Sequence, residues 1–189
     1  HYMFPESHAF AFGVTAYQMA WLKYYYPLEF YLGLFNQQPM GFYTPETLKE
    51  DAKRHGDSIL NPDVNRSAKL CTIEDGEADS IRLGLCYVKG LGEAAVKAID
   101  DAKERGGSFL SLAGFMSRSS LEQQQVEDLI DAGALDNLCE DRRSARWEVG
   151  LRYRPVGRQL ELSLPVAQDM APLPMAGAFD EMAREYRTM

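Results

Sequence analysis

Between Val88 and Ile99 the chain reads Val-Lys-Gly-Leu-Gly-Glu-Ala-Ala-Val-Lys-Ala-Ile. Two glycines around one leucine predict a sharp corner between a short apolar helix ending at Lys89 and a longer one starting at Glu93. Glycine permits positive φ and leaves no Cβ in the way of a ligand. Leu91 would turn inward and anchor the corner. The first N–H groups of the new helix would then face outward, unpaired, at the positive end of the macrodipole. That arrangement binds an anion such as a phosphate. Lys89 and Lys97 would add charge. The plainer reading is a tight helix–helix turn, for which glycine is always useful.

A second unit of the same kind follows. A helix over Glu122–Asp131 runs into Ala132-Gly133-Ala134-Leu135, then Asp136-Asn137-Leu138. Two such corners predict a tandem helix-hairpin-helix, a motif that holds DNA phosphates by main-chain amides without reading bases. The second corner is acidic and has a single glycine, so it reads as the packing partner of the first. Charge is also segregated. Residues 119–141 carry Glu122, Glu127, Asp128, Asp131, Asp136, Glu140 and Asp141 and no base. Residues 142–158 carry Arg142, Arg143, Arg146, Arg152, Arg154 and Arg158 against Glu148. Such a block is either the footprint of a phosphate partner or a solvated helix face. Arg142, Arg143 and Arg146 join Lys89, Gly90, Leu91, Gly92 and Lys97 as candidate DNA contacts.

The elements that must position these groups fit in 189 residues, room for one compact domain or two small ones. Hydrophobic residues make up 46% and charged residues 25%, the balance of a globular chain. The net charge of −8 hides the basic block. No apolar run approaches the ~20 residues of a membrane helix, and no signal-peptide pattern opens the sequence. Cys71, Cys86 and Cys139 are odd in number and far apart, and His1, His8 and His55 are scattered. This points away from a disulfide scaffold or zinc site and toward a reducing, intracellular compartment.

Upstream, Phe10, Val14, Tyr17, Trp21 and Tyr24 recur at spacings of three and four, which predicts a buried amphipathic helix over 7–26. Pro27 ends it and starts the next. Thr44-Pro45 reads as an N-cap with proline at the first helical position, and Gly56 as the stop of that helix. Residues 58–83 predict a small β element, with strands near 70–73 and 81–83. From Gly84 to Gly150 the pattern is short helices punctuated by glycine. Beyond Pro155 the composition predicts an extended linker. The fold class is therefore mainly α, divided at 1–56, 57–83, 84–150 and 151–189.

Taken together, Phe4-Pro5-Glu6-Ser7-His8-Ala9, the helix with Tyr17, Ala20, Trp21, Leu22 and Lys23, and Tyr26-Pro27-Leu28-Glu29-Phe30 resemble the fingers of bacterial C-family DNA polymerases. Residues 36–43 (Asn-Gln-Gln-Pro-Met-Gly-Phe-Tyr) and 61–67 (Asn-Pro-Asp-Val-Asn-Arg-Ser) resemble the error-prone branch. Arg82-Leu83-Gly84-Leu85, Val88 to Gly92 and Ala132 to Asp136 continue the likeness. It implies a fragment: the end of the fingers, a β connector, the tandem helix-hairpin-helix domain, and a linker toward an OB domain. It implies a parent nucleotidyltransferase of DNA repair and translesion synthesis, bacterial and cytoplasmic, bound to primer-template duplex. The parent's Mg²⁺ would lie in an upstream palm, so this fragment is expected to hold no metal or catalytic residue and to be inactive alone. A stand-alone DNA-binding or repair-accessory module, or an interaction scaffold, are the alternatives.

Within the fingers-like segment Ser7, His8 and Lys23 would lie toward the nucleotide and template. The plainer roles are a helix cap for Ser7, a partly buried hydrogen-bonder for His8, and a solvent-reaching lysine at position 23. Trp21 and the tyrosines read as core rather than base-stacking platforms. Gln159-Leu160-Glu161-Leu162-Ser163-Leu164 is similar to sliding-clamp-binding peptides, which makes Gln159, Leu162 and Leu164 candidate clamp contacts. A short strand against a neighbouring domain is the other reading.

Overall fold

The structure is a computed structural model, and it describes residues 5–41, 43–76, 79–152 and 177–188. The chain divides into two compact units, His1–Leu60 with Leu70–Leu83, and Asn61–Lys69 with Gly84–Met189. The 57–83 segment is thus shared between them.

In the first unit, α1 (Glu6–Tyr25) breaks at Tyr26, and α2 (Pro27–Asn36) restarts with proline at its first position. There the missing N–H costs nothing. Tyr31 and Phe35, one turn apart, are the buried residues of α2. The third helix, α3 (Pro45–Arg54), is capped as expected: the Thr44 hydroxyl accepts from the Thr47 amide at 3.3 Å. Gly56 follows at φ +94, a conformation that suits glycine. Leu48 and Ala52 form the inner stripe of α3.

Three short strands complete the unit: β1 (Ser58–Leu60), β2 (Thr72–Glu74) and β3 (Ser80–Arg82), in the order β1-β3-β2. β3 is parallel to β1 and antiparallel to β2, so Ile81 stands opposite both Ile59 and Ile73. Arg82, 9% exposed, donates twice to Glu74, each at 2.9 Å. The side-chain amide of Asn36 exchanges two hydrogen bonds with the backbone of Cys71, fixing the end of α2 to the approach of β2.

The helix α1 corrects one expectation. Its period is helical, but none of its residues is buried. Phe10, Tyr17, Trp21 and Tyr24 are all exposed. Spacing sets which residues share a face, whereas burial needs a neighbour to cover it. Ser7 is not the cap either, because Pro5 takes that place with no side-chain hydrogen bond.

Among the described residues the regular elements of the second unit are helical: a 3-10 turn at Leu85–Tyr87, then α4 (Glu93–Gly106), α5 (Leu112–Ser119), α6 (Gln123–Asp131), α7 (Arg142–Arg152) and α8 (Ala178–Thr188). Its core includes Leu85, Ile99, Phe115, Leu129, Ile130 and Leu135. Phe109 meets Phe115 edge-on at 4.9 Å, and the Arg118 guanidinium lies over Phe109. Arg118 also donates to the carbonyls of Ala102 and Gly107, satisfying the end of α4.

Residues 61–69 clasp this core. The Asp63 carboxylate, in a residue 5% exposed, accepts from the amides of Asn65 and Arg66 and from the Asn137 side chain. Asn65 exchanges two hydrogen bonds with the Phe109 backbone, and the Val64 amide donates to Ala134. Two further expectations need correcting. The arm before the first corner is one 3-10 turn, because few residues separate Gly84 from Gly90. The segment read as linker contains α8, whose acids Asp180 and Glu181 open it and whose Arg187 lies in its last turn.

Candidate nucleic-acid interface

The first corner is built as its residue types require. Gly90 has φ +84, where a side chain would be strained. Leu91 is 6% exposed and belongs to the core, while Gly90 and Gly92 are exposed. Gly92 is the extended N-cap of α4, and nothing lies within 4 Å of where its Cβ would be. The amides of Ala95 and Val96 return to the Gly92 carbonyl, and that of Leu91 to Val88. Among the described residues no acceptor takes the amides of Gly90, Gly92, Glu93 or Ala94. Four donors thus lie unpaired at one exposed corner, at the N-terminus of α4. The side chains of Lys89 and Lys97 flank it, exposed and without an ion-pair partner among the described residues.

Two carboxylates qualify this positive field. A Cβ on Gly90 would lie 2.6 Å from the Asp128 carboxylate, so that acid stands beside the corner. Glu93 pairs with Lys69, and this hydrogen bond holds the Glu93 carboxyl below its usual range and the Lys69 ammonium above its own. Lys69 lies 24 positions upstream of Glu93, and local sequence carries no sign of the pairing.

The second corner shares the positive-φ glycine but differs in burial and in the use of its amides. Gly133 is buried at φ +77. Its neighbours' amides are used internally: Ala132 to Asp128, Gly133 to Ile130, Ala134 to Leu129 and Asp136 to Gly133. A Cβ there would meet the Arg142 guanidinium at 2.5 Å.

The arginine block changes its meaning in the fold. Arg142 pairs with Asp136 at 2.5 Å and Glu185 at 2.7 Å, with 11% of its side chain exposed. Burial would draw its pKa down, and the two carboxylates more than reverse this. Arg146 pairs with Asp131 and with Glu127, and hydrogen bonding to Asp131 raises its pKa. The acidic run and the basic run therefore meet as α6 against α7. Arg143 is exposed on α7.

In the first unit, Lys23 donates to Asp51 at 2.6 Å, and Tyr31 donates to the same oxygen at 2.7 Å. Lys23 and then Tyr31 hold the Asp51 carboxyl low. Burial and that bond push Tyr31 up to about 12. Lys23 is thus committed to a structural triad. His8 packs on Phe12 at 4.4 Å, one turn along α1. Gln159, Leu162 and Leu164 lie outside the described residues.

A family model described as helix-hairpin-helix motif matches residues 56–145. Bacterial error-prone DNA polymerases match almost the whole chain. That of Anaeromyxobacter dehalogenans strain 2CP-C is 40% identical over 196 residues, which is 99% of this chain and 17% of the relative. That of Corynebacterium glutamicum is 43% identical over 182 residues, covering 96% and 16%. That of Dechloromonas aromatica is 36% identical over 188 residues, covering 100% and 18%. This chain is similar to one segment of bacterial error-prone DNA polymerases and carries a helix-hairpin-helix motif. It spans about a sixth of the length of these relatives. Among the described residues no helix is long and apolar enough to cross a membrane. None of their His, Cys, Asp and Glu residues gather in threes to hold a metal ion, and Asp100 is paired with Lys103 at 2.9 Å. The divalent metal expected of a polymerase does not fit the residues described here.

Proposed function

We propose that this chain is the part of an error-prone, DNA-directed DNA polymerase that grips primer-template duplex and supplies the end of the fingers. The observation carrying this is the cluster of four unpaired amides at Gly90, Gly92, Glu93 and Ala94. A DNA phosphate brings several acceptor oxygens and a negative charge to donors already fixed in place. Lys89 and Lys97 add contacts that release counterions, so binding falls steeply with salt. The closed second corner supports the first structurally.

The parent polymerase would transfer nucleotides with Mg²⁺ held elsewhere in its length, and this segment alone would not extend a primer. The match of relatives along α1 and α2, which a simple binding module does not need, favours this over a stand-alone accessory protein. Fluorescence anisotropy with a duplex across a salt series tests the reading. Affinity should fall with salt and should drop further in the Lys89→Glu, Gly92→Glu double variant. Affinity independent of salt, or unchanged in that variant, contradicts it.

A further inference from the structure

The corner is open on one side and occupied on the other. The Lys89 amide, the donor immediately before Gly90, gives its hydrogen bond to the Thr188 carbonyl at 2.6 Å. Thr188 is the last residue of α8 and is 7% exposed, although Phe179, Met182 and Tyr186 on the same helix are exposed. A helix C-terminus carries the negative end of the macrodipole. It therefore presents to the corner a weaker version of what a phosphate presents. A second anchor lies one turn back, where Glu185 pairs with Arg142 at 2.7 Å and accepts from the Asn61 side chain at 3.2 Å. Through Glu185, α8 is tied to Arg142, a guanidinium that Asp136 also holds.

We propose that α8 is an internal competitor for the hairpin, a latch whose Thr188 carbonyl occupies a donor that a DNA backbone would use and whose Glu185 carboxylate anchors it in place. This rests on the hairpin being the phosphate site. A phosphate oxygen and the Thr188 carbonyl cannot share the Lys89 amide, so full engagement of duplex displaces the C-terminal turn of α8. The docked helix lowers affinity for DNA by the free energy of its own docking. Conversely, duplex loosens α8 by the same factor.

The test uses the 189-residue chain with Glu185→Gln and a control of equal charge change, Asp180→Asn, at the exposed opposite end of α8. Glu185→Gln should bind a duplex about fivefold more tightly than Asp180→Asn, a coupling at the low end of allosteric effects. Hydrogen exchange supplies a second readout. Amides of the last turn of α8 should exchange faster in Glu185→Gln, and in the wild-type chain should lose protection when duplex is added. Equal affinities for the two variants, or an α8 that stays protected in the DNA complex, overturn the latch and leave the hairpin reading standing. Absence of duplex binding by every chain at low salt overturns both.

Discussion

The Arg142 guanidinium lies 2.5 Å from where a side chain on Gly133 would begin. The second hairpin thus has the protein's own cation against its glycine, where the first has the Asp128 carboxylate 2.6 Å from the same point on Gly90. The two corners share a glycine at positive φ, yet the amides of Gly90, Gly92, Glu93 and Ala94 have no acceptor among the described residues, whereas those around Gly133 are bonded internally.

Gly90 and Gly92 should respond differently to alanine. At Gly90 the cost is chiefly positive φ, on the order of 1 kcal/mol, because the Asp128 carboxylate it would meet can move. At Gly92 the backbone is ordinary and the space open, so stability in urea should change by less than about 1 kcal/mol. Duplex affinity should nevertheless fall for Gly92→Ala, because the methyl group stands where a phosphate approaches. A Gly92→Ala chain with undiminished duplex affinity would contradict close backbone approach.

Asp128 lies beside the corner and should oppose a phosphate. Asp128→Asn should tighten duplex binding roughly fivefold at low salt, the effect of removing one charge at a few ångströms in a wet site. The gain should shrink at high salt. Unchanged affinity at every ionic strength would place the phosphate elsewhere.

Arg146 should act on stability more than on DNA. Removing it strands Glu127 and Asp131, whose side chains are only 17% and 16% exposed. Arg146→Ala should destabilise the chain by about 2 kcal/mol, less than a fully buried pair would cost because Arg146 is partly hydrated. The salt slope of DNA binding should stay the same. A slope reduced by about one contact would instead make it a phosphate ligand.

The triad of Lys23, Asp51 and Tyr31 contributes to the pH dependence of the first unit. The Asp51 carboxyl is held low by Lys23 and then by Tyr31, so its contribution is present above the ordinary carboxylate pKa and is lost as acid protonates the folded form. Tyr31 is pushed up to about 12, so on the alkaline side stability falls between its unfolded value near 10 and about 12. Urea unfolding of Asp51→Asn against wild type should show a difference that closes below about pH 4. A difference independent of pH would contradict the ion pair.

Local rules made much of this fold legible. Thr44-Pro45 and Gly56 delimit α3 because caps and stops act within a few residues. The Gly90-Leu91-Gly92 corner was legible for the same reason. The pairing of Arg142 and Arg146 was not, since a run of one sign shows its charge but not which surface it faces. Lys69 meets Glu93, and Thr188 meets Lys89, only through tertiary packing. The burial expected along α1 failed because periodicity describes one helix, and a core needs two.

The most direct measurement is a two-dimensional amide spectrum of the chain titrated with duplex DNA. Shifts should concentrate at Gly90, Gly92, Glu93 and Ala94, with those of the last turn of α8 beside them, and Ala134 should be little changed. Shifts centred on the Gly133 corner or on α7, with the Gly90–Ala94 amides unmoved, would contradict binding at the first corner.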